Sequence, residues 1–202
     1  MVSKSRIEAL SDGLFAIVLT LLVLEIKPPA GVEHGKLGAE LAKDLTSWVS
    51  FAFTFMIGSI FWVDQHRVLK SLSEISHISL SLNLLFLAFV SVLPFSTSVW
   101  GRNPGEHLAT TIYFANMFAG AAVLTVLVEA AVARKEVVKD SNLSAVRFRL
   151  PSLCVAFGSA AIFPLFFDPK DLWKLVVPLL LGLRVARGIR KRKLRAAERA
   201  MA

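Results

Sequence analysis

A single cysteine, Cys154, stands among the 202 residues, so neither an intrachain disulfide framework nor a cysteine-rich metal centre can form. It lies in an apolar run and is expected to be a packed core thiol. Charge is also scarce: Asp, Glu, Lys and Arg make up 19% of the chain, against roughly a quarter in soluble domains. The four histidines, His34, His66, His77 and His107, contain no i, i+4 pair of the kind that holds a metal on a helix. With no clustered His, Asp and Glu and no nucleophile beside a base, hydrolytic chemistry has no foothold. No internal repeat is visible, and no small-residue cleavage site follows the first apolar run, so that run is expected to be retained.

What is abundant is apolar surface. Hydrophobic residues make up 55% of the chain and mean hydropathy is +0.62, which describes an integral membrane protein. A spanning helix needs about 20 mostly apolar residues, since each adds about 1.5 Å across a core of about 30 Å. Six runs qualify: Ser5–Ile26, Thr46–Val68, Ile75–Trp100, His107–Ala133, Leu143–Phe167 and Leu172–Ile189. Short links carry the breakers, Pro28-Pro29-Ala30-Gly31, Asn103-Pro104-Gly105 and Asp168-Pro169, and leave no room for a soluble domain. The expected fold is all-α.

Six spans place both termini on one side. With the N-terminus inside, 17 of the 23 Lys and Arg residues fall on that side and 6 on the other, so both termini are expected in the cytoplasm. The net charge of +8 comes largely from the tail around Arg190-Lys191-Arg192-Lys193. That tail reads as a topology anchor against anionic headgroups. It lacks the interleaved aromatics or folded reader that a nucleic-acid partner would need.

Ionisable groups inside a span are costly and face protein or water. The first span holds Arg6 and Asp12 near its cytoplasmic end. At about 100° per residue, Arg6, Leu10, Gly13, Ile17, Thr20, Leu21 and Leu24 fall in one stripe about 100° wide, with Asp12 about 140° from Ile17. Arg6 and Asp12 therefore do not form an intrahelical pair, and Asp12 needs partners on a neighbouring helix. Trp62, His66 and Arg67 of the second span and Asn83 of the third lie at matching depth. One reading is a network of Arg6, Ser11, Asp12, His66 and Asn83 that satisfies these groups and pins the first helix. The other is that Ser11-Asp12 caps a helix while Trp62, His66 and Arg67 form an interfacial belt. Glu129, in the fourth span, is expected to pair or snorkel near Arg134 and Lys135.

The string Arg6-Ile7-Glu8-Ala9-Leu10-Ser11-Asp12-Gly13 and its apolar continuation to Glu25 resemble the first helix of the transmembrane protein 175 family, whose signature is Arg, three residues, then Phe-Ser-Asp-Gly. Phe61-Trp62-Val63-Asp64-Gln65-His66-Arg67 and Asn83-Leu84-Leu85-Phe86 through Leu93-Pro94-Phe95 are similar to its second and third spans. Leu10 stands where Phe is usual, and Asp64-Gln65 where Asn-His is expected. The second half resembles the family by hydropathy only.

The resemblance implies a prokaryotic potassium channel of the plasma membrane, a homotetramer whose first helices surround a central pore without a re-entrant selectivity loop. Residues 1–189 would form the six-helix channel domain and 190–202 a basic cytoplasmic tail. Ile17, Leu21 and Leu24 would be apolar pore layers and Thr20 a hydroxyl layer. Arg6, Ser11, Asp12, Gly13, Trp62, His66 and Asn83 would be the structural motif. Without the resemblance, the Ile/Leu stripe reads as packing or lipid-facing surface. Glu25 is either a cation-concentrating group at the outer mouth or a solvated helix-end charge near Lys27. The implied partners are K+, lipid and other copies of the chain, with no cofactor. The sixth span's arginines begin only at Arg184, so no intramembrane voltage sensor is expected. The rival class is a proton-permeable channel or small proton-coupled transporter using Asp12 and His66. Prolines 94, 151, 164 and 178 leave room for the broken helices such transporters use.

Overall fold

The structure, a computed structural model, describes residues 3–138 and 143–169. The sixth expected span and the basic tail lie outside the described residues. Among those described, the regular structure is helical: α1 (Lys4–Leu21), α2 (Leu37–Lys43), α3 (Leu45–Ser71), α4 (His77–Ser91), α5 (Leu93–Arg102), α6 (His107–Ala133) and α7 (Ser144–Ile162). Five stretches are long and apolar enough to cross a membrane: Lys4–Glu25, Leu45–Ser71, His77–Arg102, His107–Ala133 and Ser144–Leu165. They match the first five expected spans to within a few residues.

Three local departures have physical causes. The first span ends in a 3-10 turn, Leu22–Glu25, where a straight α-helix is expected. The third span is broken at Val92, because Pro94 at the start of α5 has no N–H to continue the α-helical ladder. Asn116 of α6 repairs the break, donating to Phe89 O at 3.3 Å and Ser96 Oγ at 3.2 Å. Pro151, by contrast, lies inside α7 without ending it. The first link also folds a short helix, α2, that hydropathy does not show.

The core is organised around α6, whose Tyr113, Met117, Ala121, Leu124 and Leu127 are fully buried against α4, α5 and α7. Bilayer lipid is as apolar as leucine, so helix association relies on close packing and hydrogen bonds rather than on hydrophobic burial. Both devices are present. Small residues admit close neighbours: a Cβ on Gly101 would stand 3.2 Å from Ser50 Oγ, and one on Gly158 3.2 Å from the Phe118 ring. Thr54 Oγ1 meets the Tyr113 hydroxyl at 2.7 Å and receives a bond from Thr97 Oγ1 at 3.0 Å, which joins α3, α5 and α6. The Trp100 ring stacks on Tyr113 at 4.4 Å. Cys154 lies partly buried against this core.

On the side of the N-terminus, the second and fourth links pair. Ser73 N donates to Glu136 O at 2.8 Å and Val138 N to Ser71 O at 2.9 Å, while Lys135 takes the left-handed conformation after α6. Lys4 Nζ donates to Lys70 O at 3.1 Å and Leu72 O at 2.7 Å, placing a cation on the open carbonyls at the end of α3. The start of α1 is thereby tied to the end of α3.

Candidate functional site

The two faces of α1 differ. Ile7, Ser11, Phe15, Val18 and Leu22 recur every three or four residues and are buried against the rest of the chain. The other face is unpartnered in the single chain: Leu10 is 50% exposed, Ile17 61%, Leu21 41% and Leu24 61%, and Arg6, Gly13 and Thr20 are exposed beside them. A Cβ on Gly13 would meet nothing within 4 Å, so nothing in this chain's own packing requires a glycine there.

The 3-10 turn refines this face. Side chains at i and i+3 eclipse in a 3-10 helix, which sets Leu24 over Leu21, and a rise of about 2.0 Å per residue lengthens the stack from Ile17 to Leu24 from about 10 Å to about 12 Å. Thr20 turns its hydroxyl proton back onto its own helix, with Ala16 O at 2.9 Å and Ile17 O at 2.8 Å. Its oxygen keeps lone pairs on the exposed side, where it acts as an acceptor.

Behind this face lies a polar anchor. Gln65 Nε2 donates to Ser11 Oγ at 2.7 Å and to Asn83 Oδ1 at 2.9 Å, and Asn83 Nδ2 lies 3.4 Å from Ser11 Oγ. Ser11, Gln65 and Asn83 are all buried, and Ser11 closes the set by donating to Ile7 O at 2.8 Å. A second, outer set joins Trp62 Nε1 to Asp12 Oδ1 at 2.8 Å, with the His66 ring stacked on Trp62 at 5.8 Å. The structure thus brings together Ser11 with Asn83, and Asp12 with Trp62 and His66, as two sets rather than one network.

Arg6 joins neither set among the described residues, because it faces the exposed stripe about 140° from Ser11. Ser11 and Asp12 do not cap a helix either: α1 starts at Lys4, so both sit well inside it. Gln65, the residue that links the inner set, is missed by the sequence reading. It was visible there only as a departure from the family pattern. Its neighbour Asp64 is missed likewise, and forms a buried ion pair with Arg149 of α7, with Nε 2.7 Å from Oδ2. Arg149 lies within the fifth span, in α7.

At the far end of α1, Glu25 is not a free carboxylate. Arg102 at the end of α5 lies 3.6 Å from Glu25 Oε2 and donates to Glu25 O at 3.1 Å. A cleft of about 440 Å³ opens beside the pair, lined by Lys27, Pro29, Glu40 and Trp48 among others. Glu129 pairs with Arg147 of α7 through two bonds, at 2.9 and 2.6 Å, rather than with Arg134 or Lys135. Among the described residues no group of three or more His, Cys, Asp or Glu is arranged to hold a metal.

Comparison with known proteins places this arrangement. The family described as Endosomal/lysosomal potassium channel TMEM175 matches residues 6–94, which carry both polar sets and the exposed stripe. A protein named a potassium channel in Chamaesiphon minutus is 36% identical over 124 residues, 59% of this chain and 61% of that relative. The mouse protein named Endosomal/lysosomal proton channel TMEM175 is 32% identical over 133 residues, 57% of this chain and 27% of its own length. The chain thus matches less than two thirds of the length of these curated relatives. A crystal structure of a lysosomal potassium-selective channel TMEM175 homolog from Chamaesiphon minutus superposes with a TM-score of 0.69 at 32% identity, covering 93% of this chain and 97% of that one.

Proposed function

Because the chain belongs to the TMEM175 family, a family of multi-pass membrane channels rather than an enzyme class, we propose that it is a potassium-preferring cation channel passing K+ down its gradient across the bacterial plasma membrane. The observation that carries this reading is the unpartnered face of α1, apolar but for Thr20 and Arg6, opposite a face fixed by buried hydrogen bonds. Four copies placing that face on a common axis would stack rings of Ile17, Leu21 and Leu24, with a hydroxyl ring at Thr20. An apolar ring offers an ion no replacement for its water, so a narrow stack blocks by dewetting and opening has to widen it. Once it is wide enough for a partly hydrated ion, the Thr20 oxygens substitute for some of the lost water ligands. Both termini and the polar anchor lie on the cytoplasmic side in this reading. No cofactor takes part.

The test is ion flux from purified protein in liposomes under an imposed potassium gradient, with sodium replacement and a proton-sensitive dye. Potassium flux exceeding sodium flux and indifferent to a pH gradient is expected. Equal inertness to both ions in tetrameric protein overturns the proposal. A second reading draws on the vertebrate relatives, which are named proton channels: protons pass along the same path, with Asp12 and His66 at its cytoplasmic end. Dye acidification without potassium flux would select it, and flux that requires a proton gradient would select a coupled transporter.

A further inference from the structure

We infer that the Asp64–Arg149 ion pair is a positioning element through which the fifth span sets the seat of α1, and with it the bore that α1 lines. Asp64 is 0% exposed, and the guanidinium of Arg149 engages both of its carboxylate oxygens, Nε to Oδ2 at 2.7 Å and the terminal nitrogen against Oδ1. A two-point fork of this kind fixes orientation as well as distance. The pair sits in the part of α3 that holds α1. Trp62, two residues before Asp64, binds Asp12, and Gln65, the next residue, binds Ser11 and Asn83.

At about 100° per residue, Asp64 points about 160° away from Trp62 and about 100° from Gln65. The same turn of α3 is therefore held from opposite sides, by α1 and α4 on one and by α7 on the other. Beside the pair, α3 also meets α7 through apolar side chains, as in the edge-on meeting of Phe61 and Phe157 at 6.3 Å. Apolar contacts slide at little cost. A buried carboxylate cannot change partner without leaving a charge stranded, so the pair sets the rotation of α3 about its axis. Trp62 and Gln65 pass that rotation to Asp12 and Ser11. About one and a half turns further along α1 lies Ile17.

This inference rests on the channel reading, and two readouts separate their failures. The first is potassium flux per tetramer in liposomes. The second is the alkylation rate of a cysteine introduced by Leu21→Cys, in a Cys154→Ser background, with a charged thiol reagent; Leu108→Cys, on the exposed outer part of α6, serves as control. Asp64→Asn removes the carboxylate that Arg149 grips, and Arg149→Gln takes that grip from the fully buried Asp64. Each is expected to lower flux by about tenfold or more, because breaking a buried pair gives up a large positioning energy.

Each is also expected to shift the alkylation rate at position 21 by about threefold or more while leaving position 108 unchanged, and the double variant Asp64→Asn/Arg149→Gln to recover most of both, as coupled neighbours do. Single variants that assemble and match the parent in both readouts overturn the inference, as does a double variant no better than the worse single one. Should a single variant fail to accumulate, Arg149→Lys keeps the charge and loses the fork. An unchanged alkylation rate in that variant overturns the inference equally. If the parent itself passes no potassium, the channel reading fails, and the alkylation rates still decide the role of the pair.

Discussion

Gln65 and Ser11 meet at 2.7 Å in the interior, and the same Gln65 amide reaches Asn83, so three helices share one buried hydrogen-bonded set. Each member is bonded to the others, and removing one leaves its neighbours short of a partner in a medium that supplies none. Asn83→Leu is expected to lower the stability of the detergent-solubilised protein by about 1–3 kcal/mol, the cost of buried groups left unpaired. Ser11→Ala, which removes a hydroxyl but keeps the small volume, should cost about half as much. Thermal unfolding monitored by size-exclusion would read both. Equal melting of Asn83→Leu and the parent would show that the set does not hold α1 to α3 and α4.

Replacing Leu21 or Leu24 with Asn places an amide on the proposed constriction, where it holds water and lowers the dewetting barrier. Leu21→Asn is expected to raise basal potassium flux by roughly tenfold, about 1.4 kcal/mol of barrier, and to weaken discrimination against sodium. Because the 3-10 turn eclipses the two residues, Leu24→Asn should act in the same direction. Val23→Asn is the comparison, since Val23 is exposed but lies about 120° from both in a 3-10 turn. Flux that rises as much in Val23→Asn as in Leu21→Asn would place the lining elsewhere on α1.

Glu25 and Arg102 are both partly exposed, so their ion pair contributes little to stability, within about 1 kcal/mol. Its effect is on charge at the outer end of α1. Arg102→Gln frees the Glu25 carboxylate and is expected to raise potassium influx at low ionic strength, by about twofold, and to have no effect at 0.5 M salt, where screening acts over a few ångström. Glu25→Gln should do the reverse. A change that persists at high salt would mean that Arg102 acts on the shape of this end, for instance through its bond to the Glu25 carbonyl.

Hydropathy locates the spans well because it responds to length and composition alone, and the five runs that fall within the described residues coincide with helical stretches to within a few residues. It is silent on rotation, and rotation decides partners. Ser11 and Asn83 could be paired from the sequence because both are polar at similar depth. Gln65 was equally polar and equally deep, but nothing in the spacing set it above His66 as the central link. Asp64 and Arg149 lie 85 positions apart in chain order and meet only because α7 packs where it does. The 3-10 turn at Leu22–Glu25 follows Leu14–Leu21, which holds no proline or glycine, and the Pro28-Pro29 pair beyond it announces the end of the helix but not its 3-10 form.

Gly58 is the position where one added methyl group reports on the seat of α1. A Cβ there would stand 2.7 Å from Leu19 Cδ2, well inside contact distance, with Leu93 Cδ1 at 4.0 Å on the other side. Leu19 faces α3 from the side of α1 opposite Ile17, so the notch at Gly58 governs how far α1 stands back from the exposed side. The clashing atom is the end of a leucine, which can turn aside, so Gly58→Ala is expected to fold and to lose about 1–2 kcal/mol through overpacking. Gly58→Leu exceeds what a rotamer change can absorb and should push α1 outward, lowering flux further than it lowers stability. Leu19→Ala vacates the space. The double variant Gly58→Ala/Leu19→Ala should therefore be more stable than the sum of its two single changes by about 1 kcal/mol, a coupling readable in a thermal double-mutant cycle. Strict additivity would mean that the two residues do not press on one another in the membrane, and that α1 takes its position from the polar anchor alone.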